Sequence, residues 1–195
     1  YAWRLWDYWE RHLDPDLFVD RTLRGKVRNK VVVITGGSSG IGLSTAQRVA
    51  EAGATTIIVA RGEEELFKAR DEMKKAGGKV FAYTADLADM ASCDKLVETV
   101  LKEHGHVDIL VNNAGRSIRR SIEASYDRFH DFERTMQLNY FGCIRLIMGF
   151  MPTMTQRRKG HIINISSIGV LANSPRFSAY VASKAALDAF SRCAQ

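Results

Sequence analysis

The strongest constraint on the fold is a change of hydrophobic period early in the chain. Val31-Val32-Val33-Ile34 is a β-branched run without polar alternation, which reads as a strand buried on both faces. Thr35-Gly36-Gly37-Ser38-Ser39-Gly40-Ile41-Gly42 follows as a turn, and from Ile41 to Ala52 apolar residues return at helical spacing. The alternation recurs, with strands expected near 31–35, 55–60, 80–84, 107–112 and 161–166. Strands separated by helical crossovers build an α/β fold with a doubly wound parallel sheet, whose ligands bind outside the C-terminal strand ends. Thr35, Ala60, Asp86, Asn112 and Ser167 fall at those ends, so one crevice should collect them.

The glycine spacing says what that crevice suits. Gly36 opens a backbone conformation closed to other residues, Gly40 lets a phosphate approach the main chain, and Gly42 lets the helix pack close. Free N–H groups at the helix N-terminus then favour a pyrophosphate. The spacing is G-x-x-x-G-x-G rather than G-x-G-x-x-G, and no Lys-Ser or Lys-Thr follows, as a triphosphate loop requires. Alone, the segment reads equally well as a tight turn. The second strand ends where an acidic residue ordinarily binds a ribose 2′-hydroxyl, and here Ala60 and Arg61 stand instead. A carboxylate repels a 2′-phosphate and a guanidinium binds it, which favours NADP(H) over NAD(H). The competing reading pairs Arg61 in solvent with Glu63, Glu64 or Glu65.

Tyr180 and Lys184 lie four apart in the alanine-rich helical stretch Ser178 to Phe190, so both project from one face. Free tyrosine ionises at about pH 10, too high for acid–base work at neutrality, and a neighbouring ammonium favours the phenolate. Such a pair is equally compatible with an exposed helix face. Ile162-Ile163-Asn164-Ile165-Ser166-Ser167 adds a strand whose end carries hydroxyls.

The glycine turn, Asn112-Asn113-Ala114-Gly115, the Ser166-Ser167 strand end and Tyr180-Val181-Ala182-Ser183-Lys184 together resemble the short-chain dehydrogenase/reductase family from about Lys30 onward. The resemblance implies a Rossmann fold, with Tyr180 as acid/base, Lys184 as its charge partner and ribose contact, and Ser167 as donor to the substrate carbonyl. Ser167 is preferred to Ser166 because the family places its serine thirteen positions before the tyrosine. Asn139, in Gln137-Leu138-Asn139-Tyr140, would hold a proton-relay water, Asp86 would lie by the adenine, and Asn112 and Ala114 would line the ribose. The implied cofactor set is Gly36, Ser38, Ser39, Gly40, Ile41, Gly42, Arg61, Asp86, Asn112, Ala114, Gly115, Tyr180 and Lys184. Arg116-Ser117-Ile118-Arg119-Arg120, the stretch from Arg134 to Gly142 and that from Pro175 to Tyr180 are further similar to the reductase domain of bacterial, notably actinobacterial, fatty acyl-CoA reductases. The expected reaction is NADP(H)-dependent reduction of an acyl-CoA thioester to an aldehyde. Its rivals are reduction of a ketone, keto-acyl or aldehyde substrate at the same residues, a thiohemiacetal on Cys143, and an idle dinucleotide-binding scaffold.

With 195 residues and 46% apolar content the chain can bury one sizeable core. Its 28 basic and 22 acidic residues give a net charge of +6, but the basic residues are scattered and no nucleic-acid motif accompanies them. An anionic small molecule is the better partner. Cys93, Cys143 and Cys193 lie far apart, which suits a reducing cytoplasm, and no histidine pairing has helical metal-ligand spacing, so no metal is expected. No apolar run approaches the roughly 20 residues of a membrane span, and no signal peptide is read. Residues 30–195 are expected to be the dinucleotide-binding domain, lacking the two last strands and a substrate segment that the family implies, and to form a homo-oligomer. Residues 1–29 are expected to be a helical extension. Trp3, Trp6, Trp9 and Leu13 give it an aromatic face, and Asp14-Pro15 opens a second helix to about Arg24. That face suits packing on a preceding domain or a subunit better than lying on a membrane.

Overall fold

The structure, a computed structural model, describes residues 22–194. The aromatic helix face and the start at Asp14-Pro15 lie outside those residues. Around the expected end of the second helix, near Arg24, the described residues form a short helix, α1 (Leu23–Val27), with Thr22 as N-cap. Val27 is buried in the core of the sheet domain.

Beyond α1 the chain alternates as β1 (Val31–Thr35), α2 (Gly40–Glu51), β2 (Thr55–Ala60), α3 (Glu63–Lys75), β3 (Lys79–Thr84), α4 (Met90–His104) and β4 (Ile109–Asn112). A loop with one 3-10 turn then leads into α5 (His130–Met136), a π-helical segment (Gln137–Gly142) and α6 (Cys143–Arg157), followed by β5 (His161–Asn164), α7 (Gly169–Ala172) and α8 (Ser178–Cys193). All strand pairs are parallel, in the order β3-β2-β1-β4-β5. The direction of winding reverses between β1 and β4, and the crevice outside such a reversal is where doubly wound sheets hold ligands.

Burial explains the uninterrupted apolar runs. Val32, Ile34 and Ile58 pack under Ala46 and Val49 of α2 and Leu66 and Met73 of α3. Val33, Ile57, Val59 and Leu110 face Leu96 and Val100 of α4 and Leu146, Ile147 and Phe150 of α6. Each such side chain contributes about 1.5–3 kcal/mol by leaving water. The helices carry matching signals. In α3, Leu66, Ala69 and Met73 fall on one face, with glutamates in the first turn and lysines in the last to suit the helix dipole. Asp89 caps α4 by accepting from Ala91 N, and Gly105, at φ 76°, ends it.

β4 and β5 are shorter than expected. The Ile165 amide still donates to Asn112 O at 3.0 Å, but β4 turns away after Asn112 and leaves Ser166 and Ser167 without a strand partner. That early exit sends Ser167 into the crevice loop. β5 forms one edge of the sheet, beside a cavity of about 800 Å³ lined by Met151, Ile162, Asn164, Leu187 and Phe190. Neither Tyr180 nor the glycine turn borders that cavity.

Candidate active site

Two strand ends meet at the reversal of the sheet, and one hydroxyl joins them. Thr35 Oγ1 donates to Val111 O at 3.3 Å and accepts from the amides of Asn113 and Ala114, each at 3.0 Å. The Asn113 amide nitrogen donates back to Thr35 O at 2.9 Å, and the Gly36 amide donates to Val59 O at 2.7 Å. The glycine turn is thus held from β1, β2 and β4 together. A side chain at Gly42 would put its Cβ 2.1 Å from Gly36 O, so only glycine lets α2 start this close to the turn. Gly40, at φ 53°, has nothing within 4 Å of where a Cβ would stand. Ser39, the N-cap of α2, makes no side-chain capping bond, which leaves the first N–H groups of the helix open to an anion. Ser38 is half-buried in the turn, while Ile41 is 69% exposed on the first turn of α2. This cradle fits a dinucleotide pyrophosphate.

Arg61 follows β2, with its side chain 64% exposed. Its nearest carboxylate is Asp86, 3.9 Å from Nη1, and not one of the three glutamates that open α3. Asp86 spends Oδ1 on the Ala88 amide at 3.0 Å, which shapes the loop after β3. The two side chains expected at the adenosine end therefore do lie together. Asn112 is 1% exposed and donates its side-chain amide to Asn164 Oδ1 at 2.9 Å, which ties β4 to β5. Ala114 and Gly115 follow on the crevice side.

α8 brings the chemistry to the other wall. Lys184 is 3% exposed, and its ammonium donates to Ile165 O at 2.7 Å. Burial pushes the Lys184 ammonium below the usual lysine pKa. Gly115 lies against it, since a Cβ there would be 3.4 Å from Lys184 Nζ and 3.3 Å from Asn139 Oδ1. Ser167 Oγ accepts from the Gly169 amide at 3.1 Å and donates to no described residue, which keeps its proton for a substrate oxygen. Tyr180 is half-buried one turn before Lys184, and its hydroxyl has no partner among the described residues.

Asn139 is buried in the π segment and spends its side chain on protein. Its Oδ1 accepts from Arg116 N at 2.8 Å, and its Nδ2 donates to Arg116 O and to Ser183 Oγ, both at 2.9 Å. Both amide hydrogens are committed, so a relay water would have to meet the main chain here. π segments widen a helix at such points and recur at functional sites. Ser183 was not singled out from the sequence. Fully buried, it accepts from Asn139 and donates to Tyr180 O at 2.7 Å. A lone serine on the inner face of an alanine-rich helix, between the tyrosine and the lysine, was the available signal. Thr35 was read as a strand end at the crevice but not as the hydroxyl that joins β1 to β4, and Asn113 was visible only as part of a motif.

Cys143 opens α6 near Lys184. Burial pushes its thiol up to about 11, which leaves it protonated at neutral pH and unfit as a nucleophile. Among the described residues no group of three or more His, Cys, Asp or Glu side chains could hold a metal, and no helix is long and apolar enough to cross a membrane.

A doubly wound parallel sheet with a glycine cradle at its reversal, facing a serine, a tyrosine and a buried lysine, is the architecture of a dinucleotide-binding domain. The short chain dehydrogenase model matches residues 30–195, and the chain belongs to that family. It is 56% identical over 175 residues to a fatty acyl-CoA reductase of Acinetobacter baylyi, covering 90% of this chain and 59% of the relative. It is 45% identical over 183 residues to a fatty acyl-CoA reductase of Mycobacterium tuberculosis, covering 92% and 62%. The chain thus spans about three fifths of these relatives. Among solved structures, a metagenomic short-chain oxidoreductase in complex with NADP matches with a TM-score of 0.82 at 31% identity, covering 86% of this chain and 76% of that one. An NAD+-bound xylitol dehydrogenase matches with a TM-score of 0.81 at 28% identity, covering 87% and 65%. The family binds a nicotinamide dinucleotide, and these two neighbours hold its two different forms.

Proposed function

We propose that the protein is an NADP(H)-dependent reductase that converts a fatty acyl-CoA thioester to a fatty aldehyde and free CoA. The observation that carries this reading is the 56% identity to a fatty acyl-CoA reductase across 90% of the chain, with Ser167, Tyr180, Lys184 and Asn139 all present. Preference for the 2′-phosphorylated cofactor is supported by Arg61, exposed at the end of β2 and held to Asp86 only at 3.9 Å.

The glycine turn and the open N-terminus of α2 would hold the pyrophosphate, Arg61 the 2′-phosphate, and Lys184 the nicotinamide ribose. When bound, the dinucleotide supplies the hydride. Ser167 and Tyr180 hydrogen-bond the carbonyl oxygen and stabilise the negative charge that grows there, and Tyr180 gives that oxygen its proton. Lys184, anchored on Ile165 O one helical turn after Tyr180, favours the Tyr180 phenolate whenever it carries its proton. Ser183 and Asn139 hold Tyr180 and the loop at Arg116 in one frame. Collapse of the reduced thioester breaks the C–S bond and releases CoA thiol.

The test is NADPH oxidation by the full chain with palmitoyl-CoA, decanal and a keto-acyl thioester, repeated with Tyr180→Phe. Turnover of palmitoyl-CoA that falls by orders of magnitude in Tyr180→Phe, while NADPH still binds, is the expected result. Activity on the keto-acyl substrate alone would move the protein to ketone reduction, and near-native activity of Tyr180→Phe would refute the chemistry.

A further inference from the structure

The two loops that border α8 carry five arginines and α5 a sixth, and none of their side chains takes part in the site above. Asp131, on the first turn of α5, is 2% exposed and faces Arg120 Nε at 3.1 Å, Arg128 Nε at 3.2 Å, Arg134 through Nη2, and His130 Nε2 at 3.5 Å. One carboxylate therefore serves three guanidiniums, and two positive charges remain unbalanced. Glu123, Asp127 and Glu133 lie in the same stretch, exposed, and pair with none of these arginines. Arg116, Arg119 and Arg176 are without any side-chain partner among the described residues. The Arg120 amide donates to Arg176 O at 2.7 Å, which joins the two loops.

This excess of charge stands at a defined distance from the chemistry. Asp131 precedes Asn139 by eight residues on one helical rod, about 12 Å along its axis. Arg116 is held by Asn139, and Arg176 comes four residues before Tyr180. A cavity of about 720 Å³ opens between the loops and α8, lined by Ser121, Ile122, Pro175, Arg176, Val181 and Ala185, and of the six arginines only Arg176 borders it. Guanidiniums crowded round a buried carboxylate are oriented in advance, and each fork keeps N–H groups that Asp131 does not use. Three guanidiniums held on one carboxylate leave positive charge in excess, and such local imbalances are expected where a ligand completes the set.

We propose that Arg120, Arg128 and Arg134, oriented by Asp131 and flanked by Arg116, Arg119 and Arg176, form a polyphosphate site for the nucleotide end of the CoA thioester. The proposal rests on the acyl-CoA reading. Arginine matches phosphate geometry, and the pyrophosphate and 3′-phosphate of CoA supply enough charge to balance the cluster. On the proposed function the dinucleotide's own phosphates lie at α2 and Arg61, which leaves this cluster to a second polyanion. A phosphopantetheine arm on a carrier protein shares the thioester and one phosphate but lacks the nucleotide.

The test uses the full chain at saturating NADPH and compares kcat/KM for palmitoyl-CoA with that for palmitoyl-N-acetylcysteamine, which has no phosphate. In Arg128→Gln/Arg134→Gln the ratio should fall about tenfold, or 1.4 kcal/mol, chiefly through KM for palmitoyl-CoA. Adenosine 3′,5′-bisphosphate should compete with palmitoyl-CoA in the parent and less well in the variant. Because that variant removes partners of a buried carboxylate, Arg119→Gln/Arg176→Gln is made beside it, and it should lower the ratio about threefold without loss of fold. An unchanged ratio in the folded variants overturns the site alone. So does competition by the bisphosphate that neither pair of substitutions weakens. A parent that reduces neither thioester overturns the acyl-CoA reading and the site with it.

Discussion

Replacing Ser183 with alanine removes one buried hydroxyl that touches both halves of the catalytic machinery. Its oxygen accepts from Asn139 Nδ2 at 2.9 Å and its proton goes to Tyr180 O at 2.7 Å. Tyr180 O sits within α8 and keeps its helical bond, so the orphaned group is the Asn139 N–H, with both residues fully buried. An unsatisfied buried donor costs about 1–3 kcal/mol, and in a chain of this size each kcal/mol lowers Tm by about 2–4 °C. Kinetics should move separately from stability. A misplacement of 1 Å costs about 10²-fold in rate, and with the helical bond still holding Tyr180 the loss in kcat should be smaller, about tenfold. NADPH affinity should change by less than about twofold, because neither atom belongs to the glycine cradle; a shift that small is below about 0.4 kcal/mol. Thermal melts, NADPH titration and steady-state kinetics measure the three quantities. In an Asn139→Ala background the substitution should cost little more, since the donor it would orphan is already gone. An equal cost in both backgrounds would refute the reasoning.

Three shorter expectations follow. The folded-state pKa of Lys184 is lowered by burial from its ordinary 10.5, so the unfolded chain binds more protons between the lowered value and 10.5, and stability should rise with pH across that window. Lys184→Met lacks the group, so urea unfolding should show the parent gaining on the variant as pH climbs; a constant difference would remove burial as the cause. Cys93 and Cys143 are both pushed up to about 11 by burial while Cys193 is exposed, so Ellman's reagent at pH 8 should find one thiol in the native chain and three after denaturation. Cys143→Ala should keep its turnover, and a fast second thiol would reopen the thiohemiacetal route. Arg61→Ala should narrow the preference for NADPH over NADH by about 1–3 kcal/mol, read by fluorescence titration. Equal affinities in the parent would mean that Arg61 only balances Asp86.

The sheet was legible because a strand covered on both faces cannot alternate, and the runs at Val31 to Ile34 and Thr56 to Ala60 do not. The strand ends followed, and with them the crevice. Partner choice was not legible. Asn112 and Asn113 are the same residue type in consecutive positions, yet the strand ends at the first, so one amide goes into the sheet and the other back to the glycine turn. Arg61 ignores the glutamates beside it because they open α3, where the positive end of the helix already suits them. Asp131 reads as one acid in a charged stretch, and only the packing of α5 on α8 buries it beneath three arginines. Ser183 and Asn139 meet across a span no local pattern covers.

Asn139 gives these separate pieces a common joint. Its side chain grips the Arg116 peptide at both N and O and reaches Ser183, which in turn holds the tyrosine's carbonyl. The loop leaving Arg116 carries the arginines, and the helix leaving Ser183 carries Tyr180 and Lys184. An anion that shifted that loop would pull on the same side-chain amide that holds Ser183. On the proposal above, Asn139 would link substrate engagement at the arginines to the alignment of Tyr180. Substituting Asn139 should accordingly weaken the dependence of kcat/KM on the CoA moiety as well as lowering kcat, whereas a residue that served the fold alone would lower kcat/KM for palmitoyl-CoA and its truncated thioester by the same factor.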